Sequence, residues 1–163
     1  MKQIILVRHG KSSWEYNVSD KDRPLKERGI NDAHLVSKSF AQKGLRIDHC
    51  FSSPANRALH TGIIFTRNVG FSLDNFLITE ELYDFSGNSV RGFVKSLDDN
   101  LKTIMLFGHN YAFTTLANTW GDEYIDNVPT SGLVHIKFDV QQWGEIAKGS
   151  SETVIFPKHL KTK

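Results

Sequence analysis

Gln3-Ile4-Ile5-Leu6-Val7, followed at once by Arg8-His9-Gly10-Lys11-Ser12, opens the chain and decides its architecture. The aliphatic run from Ile4 to Val7 has no polar alternation, so it predicts a strand buried on both faces. Such strands belong to parallel sheets covered by helices on either side. The sequence downstream repeats that grammar. A helix is expected over 25–42, with Ile30, Ala33, Val36 and Phe40 on one face and Gly44 as its stop. A short strand follows at 48–52, then a helix opened by Pro54 and running to about 67. A third strand is expected at 76–79, and a helix at 89–98 with Val90, Phe93, Val94 and Leu97 together. Strand 103–107, helix 111–120 ending at Gly121, strand 133–138 and an antiparallel edge strand at 153–156 complete the pattern. The expected fold is α/β: a largely parallel sheet with helices on both faces, forming one domain over 1–163.

Composition narrows the functional classes. The chain has 163 residues, 39% hydrophobic and 23% charged, which is too apolar for a disordered segment. No apolar run approaches the length of a membrane span. Cys50 is the single cysteine, so no internal disulfide can form. The net charge is +2, without the basic excess of a nucleic-acid binder. The basic cluster Lys158, His159, Lys161 and Lys163 is expected to be a solvated tail. The apolar run before Arg8 is too short for a secretory signal, so a cytoplasmic location is expected, with a monomer as the simplest state.

In doubly wound sheets the chemistry lies beyond the carboxyl ends of the strands. Arg8-His9-Gly10 follows the first strand, Ser52-Ser53-Pro54 through Arg57 the second, Glu80-Glu81-Leu82-Tyr83-Asp84 the third, and Gly108-His109-Asn110 the fourth. Gly10-Lys11-Ser12 mimics the end of a nucleotide-binding loop, but Ile5 stands where the first glycine should be. No metal is expected. The seven histidines form no HExxH pair, and arginines beside His9 and His109 would repel a dication. The same arginines suit an anion. Arg8 and Arg57 can each fork onto phosphoryl oxygens, and helix N-termini near Pro54 and Asn110 can add N–H donors. A cationic pocket would keep His9 neutral and nucleophilic. Phosphoryl transfer to histidine, then hydrolysis, is the chemistry this set allows.

These segments resemble the histidine phosphatase (phosphoglycerate mutase-like) superfamily, and its SixA-type phosphohistidine phosphatases most of all. The resemblance rests on Leu6-Val7-Arg8-His9-Gly10-Lys11, on Asp22-Arg23-Pro24-Leu25 with Glu27-Arg28-Gly29, on Ser52-Ser53-Pro54 through Arg57-Ala58 and Thr61, and on Phe107-Gly108-His109-Asn110. Val128-Pro129-Thr130-Ser131-Gly132 is similar to the SixA branch as well. The resemblance implies a three-layer α/β/α sandwich with a mixed, mostly parallel sheet. It implies His9 as the phosphorylated nucleophile, Arg8, Arg57 and a protonated His109 around the phosphoryl oxygens, and Ser12 and Asn110 lining the pocket. It implies a carboxylic proton donor after the third strand, where Glu81 is the best match beside Glu80 and Asp84. It implies no cofactor. The substrate would be a phosphorylated protein, phosphohistidine first. A small phosphate ester, handled by a phosphomonoesterase or mutase, is the alternative within enzymes, and a non-catalytic phosphate-binding adaptor the alternative outside them. The chain departs from the family pattern at His60, where a glutamine is usual. His34, His49, His135 and His159 are expected to be structural or solvated, Cys50 a buried hydrophobe, and Trp14 either a partner contact or core.

Overall fold

The computed structural model describes residues 1–161. Thr162 and Lys163 lie outside the described residues, and with them the last lysine of the expected basic tail.

Six strands form one sheet in the order β3-β2-β4-β1-β5-β6: β1 Lys2–Arg8, β2 His49–Ser52, β3 Phe76–Ile78, β4 Thr103–Gly108, β5 Leu133–Phe138 and β6 Ser150–Ile155. β1, β2, β3 and β4 run parallel; β5 is antiparallel to both of its neighbours, β1 and β6. Helices α1 Glu27–Ala41, α2 Asn56–Val69, α3 Asn88–Lys95, α4 Ala112–Trp120 and α5 Pro157–Leu160 cover the two faces.

The alternation of side chains explains the aliphatic run at the start. Ile4 and Leu6 of β1, with Ile104 and Leu106 of β4, pack against Val90 and Val94 of α3 and Phe113, Leu116 and Trp120 of α4. Ile5 and Val7, with Met105 and Phe107, face Ala33, Val36 and Phe40 of α1 and Ile64 and Phe65 of α2. Every one of these strand residues is fully buried, so neither parity could be polar. A three-layer α/β/α sandwich with a mixed sheet is therefore observed.

Local expectations need correction: α1 starts at Glu27, α3 ends at Lys95 and β6 starts at Ser150. α2 starts at Asn56, because Pro54 sits before the helix and Ala55 is its extended N-cap. Gly70, at φ 74°, closes α2 two residues later than expected for a stop after Arg67. The basic tail is not free: Pro157 starts the short α5 and is buried, and Lys161 pairs with the buried Asp32 of α1 at 2.9 Å. Pro157 and the apolar Leu160 dock the segment on the α1 side of the sheet, which a charge count does not reveal. Among the described residues no helix is long and apolar enough to cross a membrane.

Candidate active site

β1 and β4 lie side by side at the centre of the sheet, in register from Gln3–Thr103 to Arg8–Gly108. The residues that follow each strand therefore emerge together. His9 donates its backbone N–H to Gly108 O at 3.1 Å, which sets His9 beside His109. Their rings stand 5.2 Å apart, centroid to centroid. Arg57, in the first turn of α2, lies between them and is 2% exposed. Its Nε is 3.4 Å from His9 Nε2 and its Nη2 is 3.4 Å from His109 Nδ1.

These contacts assign the tautomers. A carbonyl only accepts, so His9 Nδ1, 2.8 Å from Gly10 O, carries the proton. A guanidinium only donates, so the Nε2 lone pair faces Arg57. By the same reasoning His109 turns its Nδ1 lone pair to Arg57 and donates Nε2–H to Ser53 Oγ at 2.8 Å. Burial pushes the His9 ring down to about 3; its bond to Gly10 acts against that, and His109, Arg57 and Arg8 lower it further. Burial, then Arg57, pushes His109 to about 3 as well. Both rings are neutral at rest. Burial, more than the cationic field, is the principal cause, and a protonated His109 needs an incoming anion to raise its affinity for the proton.

The backbone around His9 is tightly held. A Cβ on Gly29 would collide with the Lys11 carbonyl, and one on Gly10 would come within 2.9 Å of the Gly29 carbonyl. The two glycines let the β1 loop and α1 meet backbone to backbone. Thr61 Oγ1 accepts from Gly10 N at 2.9 Å and donates to Arg57 O at 2.7 Å, tying the two arms of the site together. Ser131 N donates to the carbonyls of Arg8 and His9 at 3.0 and 3.1 Å. Ser131 does so at φ 62°, a conformation that costs a non-glycine residue about 1 kcal/mol. Arg8 sends Nη1 to Val128 O at 2.9 Å, while its Nε is buried without a partner among the described residues.

The expected pocket residues divide. Arg8, His9, Arg57 and His109 come together. Ser12 Oγ is occupied by Arg23 Nη1 at 2.9 Å. Asn110 uses its side chain on structure: Oδ1 accepts from Thr114 N and Oγ1, and Nδ2 reaches Asn127 and Val128. Glu81 is exposed on a 3₁₀ turn, Glu80–Leu82, and its carboxylate makes no hydrogen bond to the cluster. Glu80 pairs with Lys21 at 3.0 Å. Asp84 accepts from Ser86 N and Oγ and from the backbone of Gly87, Ser89 and Val90 at the start of α3. Burial raises its pKa, but these donors outweigh that and hold it below the usual range. Its carboxylate is occupied by structure. His60 is exposed, one turn past Arg57, and Cys50 is buried with its thiol pushed up to about 12 by burial. Trp14 is 76% exposed and lies 3.5 Å from the Arg23 guanidinium.

Two groups escaped the sequence reading. Ser53 joins His109 to the start of α2 by accepting from both His109 and Ala55 N. Asp20, at the start of a 3₁₀ turn Asp20–Asp22, is the carboxylate that reaches the cluster. Its Oδ2 is 3.0 Å from Arg57 Nη2 and 2.5 Å from the Tyr83 hydroxyl, and its Oδ1 takes Arg23 Nε at 3.2 Å. Tyr83 and Phe85 pack their rings against the buried His109. The stretches 15–22 and 81–88, which have no periodicity, hold Asp20, Tyr83 and Phe85; their length was the available signal.

A neutral imidazole whose lone pair faces a guanidinium, with a second imidazole beside it, has the chemistry that phosphoryl transfer to histidine requires. The comparisons agree at the level of family. Residues 4–95 match the model of the histidine phosphatase superfamily (branch 1), and the chain belongs to that superfamily. The matched segment contains Arg8, His9, Asp20 and Arg57; His109 lies beyond it. A 2,3-bisphosphoglycerate-dependent phosphoglycerate mutase of Gloeothece citriformis is 41% identical over 69 residues, which is 39% of this chain and only 29% of the mutase. An uncharacterised protein of Mycobacterium tuberculosis is 26% identical over 92% of this chain and 98% of its own length. Among solved structures, the putative phosphohistidine phosphatase SixA of Agrobacterium tumefaciens superposes with a TM-score of 0.74 at 26% identity, over 83% of this chain and 91% of that one. The protein histidine phosphatase SixA complexed with tungstate shares the fold, with a TM-score of 0.82 at 20% identity over 98% and 99% of the two chains.

Proposed function

We propose that this protein is a phosphatase that hydrolyses phosphohistidine in a phosphoprotein, by way of a phosphoryl group carried on His9. The observation that carries the reading is the Nε2 lone pair of a neutral His9 held against Arg57 at 3.4 Å. Nε2 attacks phosphorus in line. Arg8 and Arg57 neutralise the equatorial oxygens, and His109 donates to one of them once the anion has raised its proton affinity. Water then attacks the phosphoryl group on Nε2 and regenerates the neutral imidazole. A protein substrate is supported by the exposed Trp14, whose indole stacks on Arg23, the arginine that also holds Ser12 and Asp20. The reading takes the protein as cytoplasmic.

Wild type and His9→Ala, incubated with phosphohistidine protein, phosphoserine peptide and sugar phosphate, test it. The expected result is an acid-labile phosphoenzyme and phosphate release in the wild type alone, fastest from phosphohistidine. Full activity in His9→Ala would end the proposal. Fastest release from the sugar phosphate would make the protein a small-molecule phosphomonoesterase.

A further inference from the structure

We infer that Asp20 is the group that delivers the proton to the leaving atom, and that Glu81 is not. The inference rests on the reading of His9 as nucleophile. It starts from depth. His109 is fully buried and Arg57 is 2% exposed, whereas the Asp20 side chain is 41% exposed. His109, Arg57 and His9, the last 7% exposed, thus form the floor, and the Asp20 carboxylate lies on the solvent side. A nucleophile on the floor pushes the leaving atom outward along the in-line axis, toward the mouth. Asp20 Oδ2, on the solvent-exposed side of the cluster, is bonded to the guanidinium that touches His9 Nε2, one guanidinium group away from the attacking nitrogen. Glu81 has no such link.

At rest Asp20 is ionised. Burial alone would raise its pKa, but the Tyr83 hydroxyl and Arg57, with Arg23 beyond them, bring it to about 2. The charged and titratable groups that face it are Arg57 from α2, Tyr83 from the segment after β3, Arg23 from its own loop and His109 from the end of β4. A docking phosphoryl group reverses this balance. Its oxygens take the Arg57 donors that Asp20 held, and its negative charge beside the carboxylate favours the protonated acid. The substrate thus loads the proton onto Asp20, from solvent or from its own monoanion. In the first step the Nε2–P bond forms, the bond from phosphorus to the leaving atom breaks, and the Asp20 proton moves to that atom. In the second step the Asp20 carboxylate takes a proton from the attacking water as the P–Nε2 bond breaks.

The test uses leaving groups of different basicity. p-Nitrophenyl phosphate expels a phenolate that needs no proton, whereas a phosphoserine peptide expels an alkoxide that does. Asp20→Asn is expected to lose about 100-fold or more in kcat on the peptide and less than about threefold on p-nitrophenyl phosphate. It is also expected to bind inorganic phosphate more tightly, because Arg57 has lost a competing anion. The alkaline limb of the wild-type kcat profile on the peptide is expected to vanish in Asp20→Asn. In Tyr83→Phe it is expected to move to higher pH, because a donor to the carboxylate has gone; this second variant keeps the test open if Asp20→Asn folds poorly. Equal losses on both substrates, or a lower KM with unchanged kcat, would reduce Asp20 to a partner of Arg57 and overturn the inference. A leaving-group-dependent loss in Glu81→Gln, with Asp20→Asn like wild type, would overturn it in favour of Glu81. His9→Ala separates the two proposals: its activity must vanish on both substrates for His9 to be the nucleophile, whatever Asp20→Asn does.

Discussion

A buried cation lies at each end of strand β1. At its start Lys2 is 1% exposed, and at its finish Arg57 of α2, against His9, is 2% exposed. The two are solvated by the protein in opposite ways. Lys2 Nζ donates to the carbonyls of Asp99 and Leu101 at 2.6 and 2.8 Å and lies 5.1 Å from the Trp143 ring. Short bonds to fixed dipoles satisfy it and leave nothing for a ligand. Arg57 has one short bond to a fixed dipole, Nη1 to the Asp20 carbonyl at 2.7 Å; its other contacts are two long ones to imidazoles and one to a half-exposed carboxylate that an anion can displace. A buried cation whose needs are met holds a fold together. One whose partners are weak or exchangeable is poised to bind.

Substitutions at the two ends should separate these roles. The largest effect is expected from Arg57→Ala, which should cut kcat by about 10²–10³, the usual loss of a preorganised donor. Its urea midpoint should fall only modestly, since the one short bond it abolishes besides the Asp20 ion pair is Nη1 to the Asp20 carbonyl at 2.7 Å. Lys2→Met should do the reverse: kcat unchanged in steady-state turnover, and stability lowered by about 2 kcal/mol, because two buried carbonyls lose a charged donor. Thr61→Val tests how rigid the Arg57 end must be. Losing the hydroxyl between Gly10 and Arg57 should lower kcat about tenfold with KM nearly constant, and Thr61→Ser should restore it. A loss confined to stability would make Thr61 a packing residue.

Acid should find the smallest difference. His9 and His109 have folded values near 3, below the ordinary 6.5. Between those limits the unfolded chain takes up protons that the native site refuses, so stability is full above about pH 6.5 and falls as pH falls. Urea midpoints measured from pH 7 to pH 4 should decline, and the slope should be shallower by up to one proton in His9→Ala. The same slope in both proteins would mean that His9 is not buried neutral.

Much of this was legible beforehand. Ile4–Val7 had to be a central strand because no residue in it tolerates water, and Thr103–Gly108 follows the same logic. The topology rule then delivered Arg8, His9, Arg57 and His109 to one edge, since each directly follows a strand or opens a helix behind one. Glu81 was favoured by its place after β3, where nothing local indicates which carboxylate turns inward. Asp84 is taken by the N–H groups of α3, and Asn110 by those of α4. Capping geometry of that kind depends on the chain's path after the residue.

Periodicity determines which elements form and which faces they bury, because burial of apolar surface is read residue by residue along the chain. That was sufficient for the α/β class, the order of the elements and the four residues at the strand ends. The contact of Asp20 with Arg57, the link through Thr61, the Ser53 bond to His109 and the docking of the basic tail were decided only in three dimensions. Each depends on partners far away in sequence, in segments without periodicity, where packing against the finished sheet alone determines which side chain meets which.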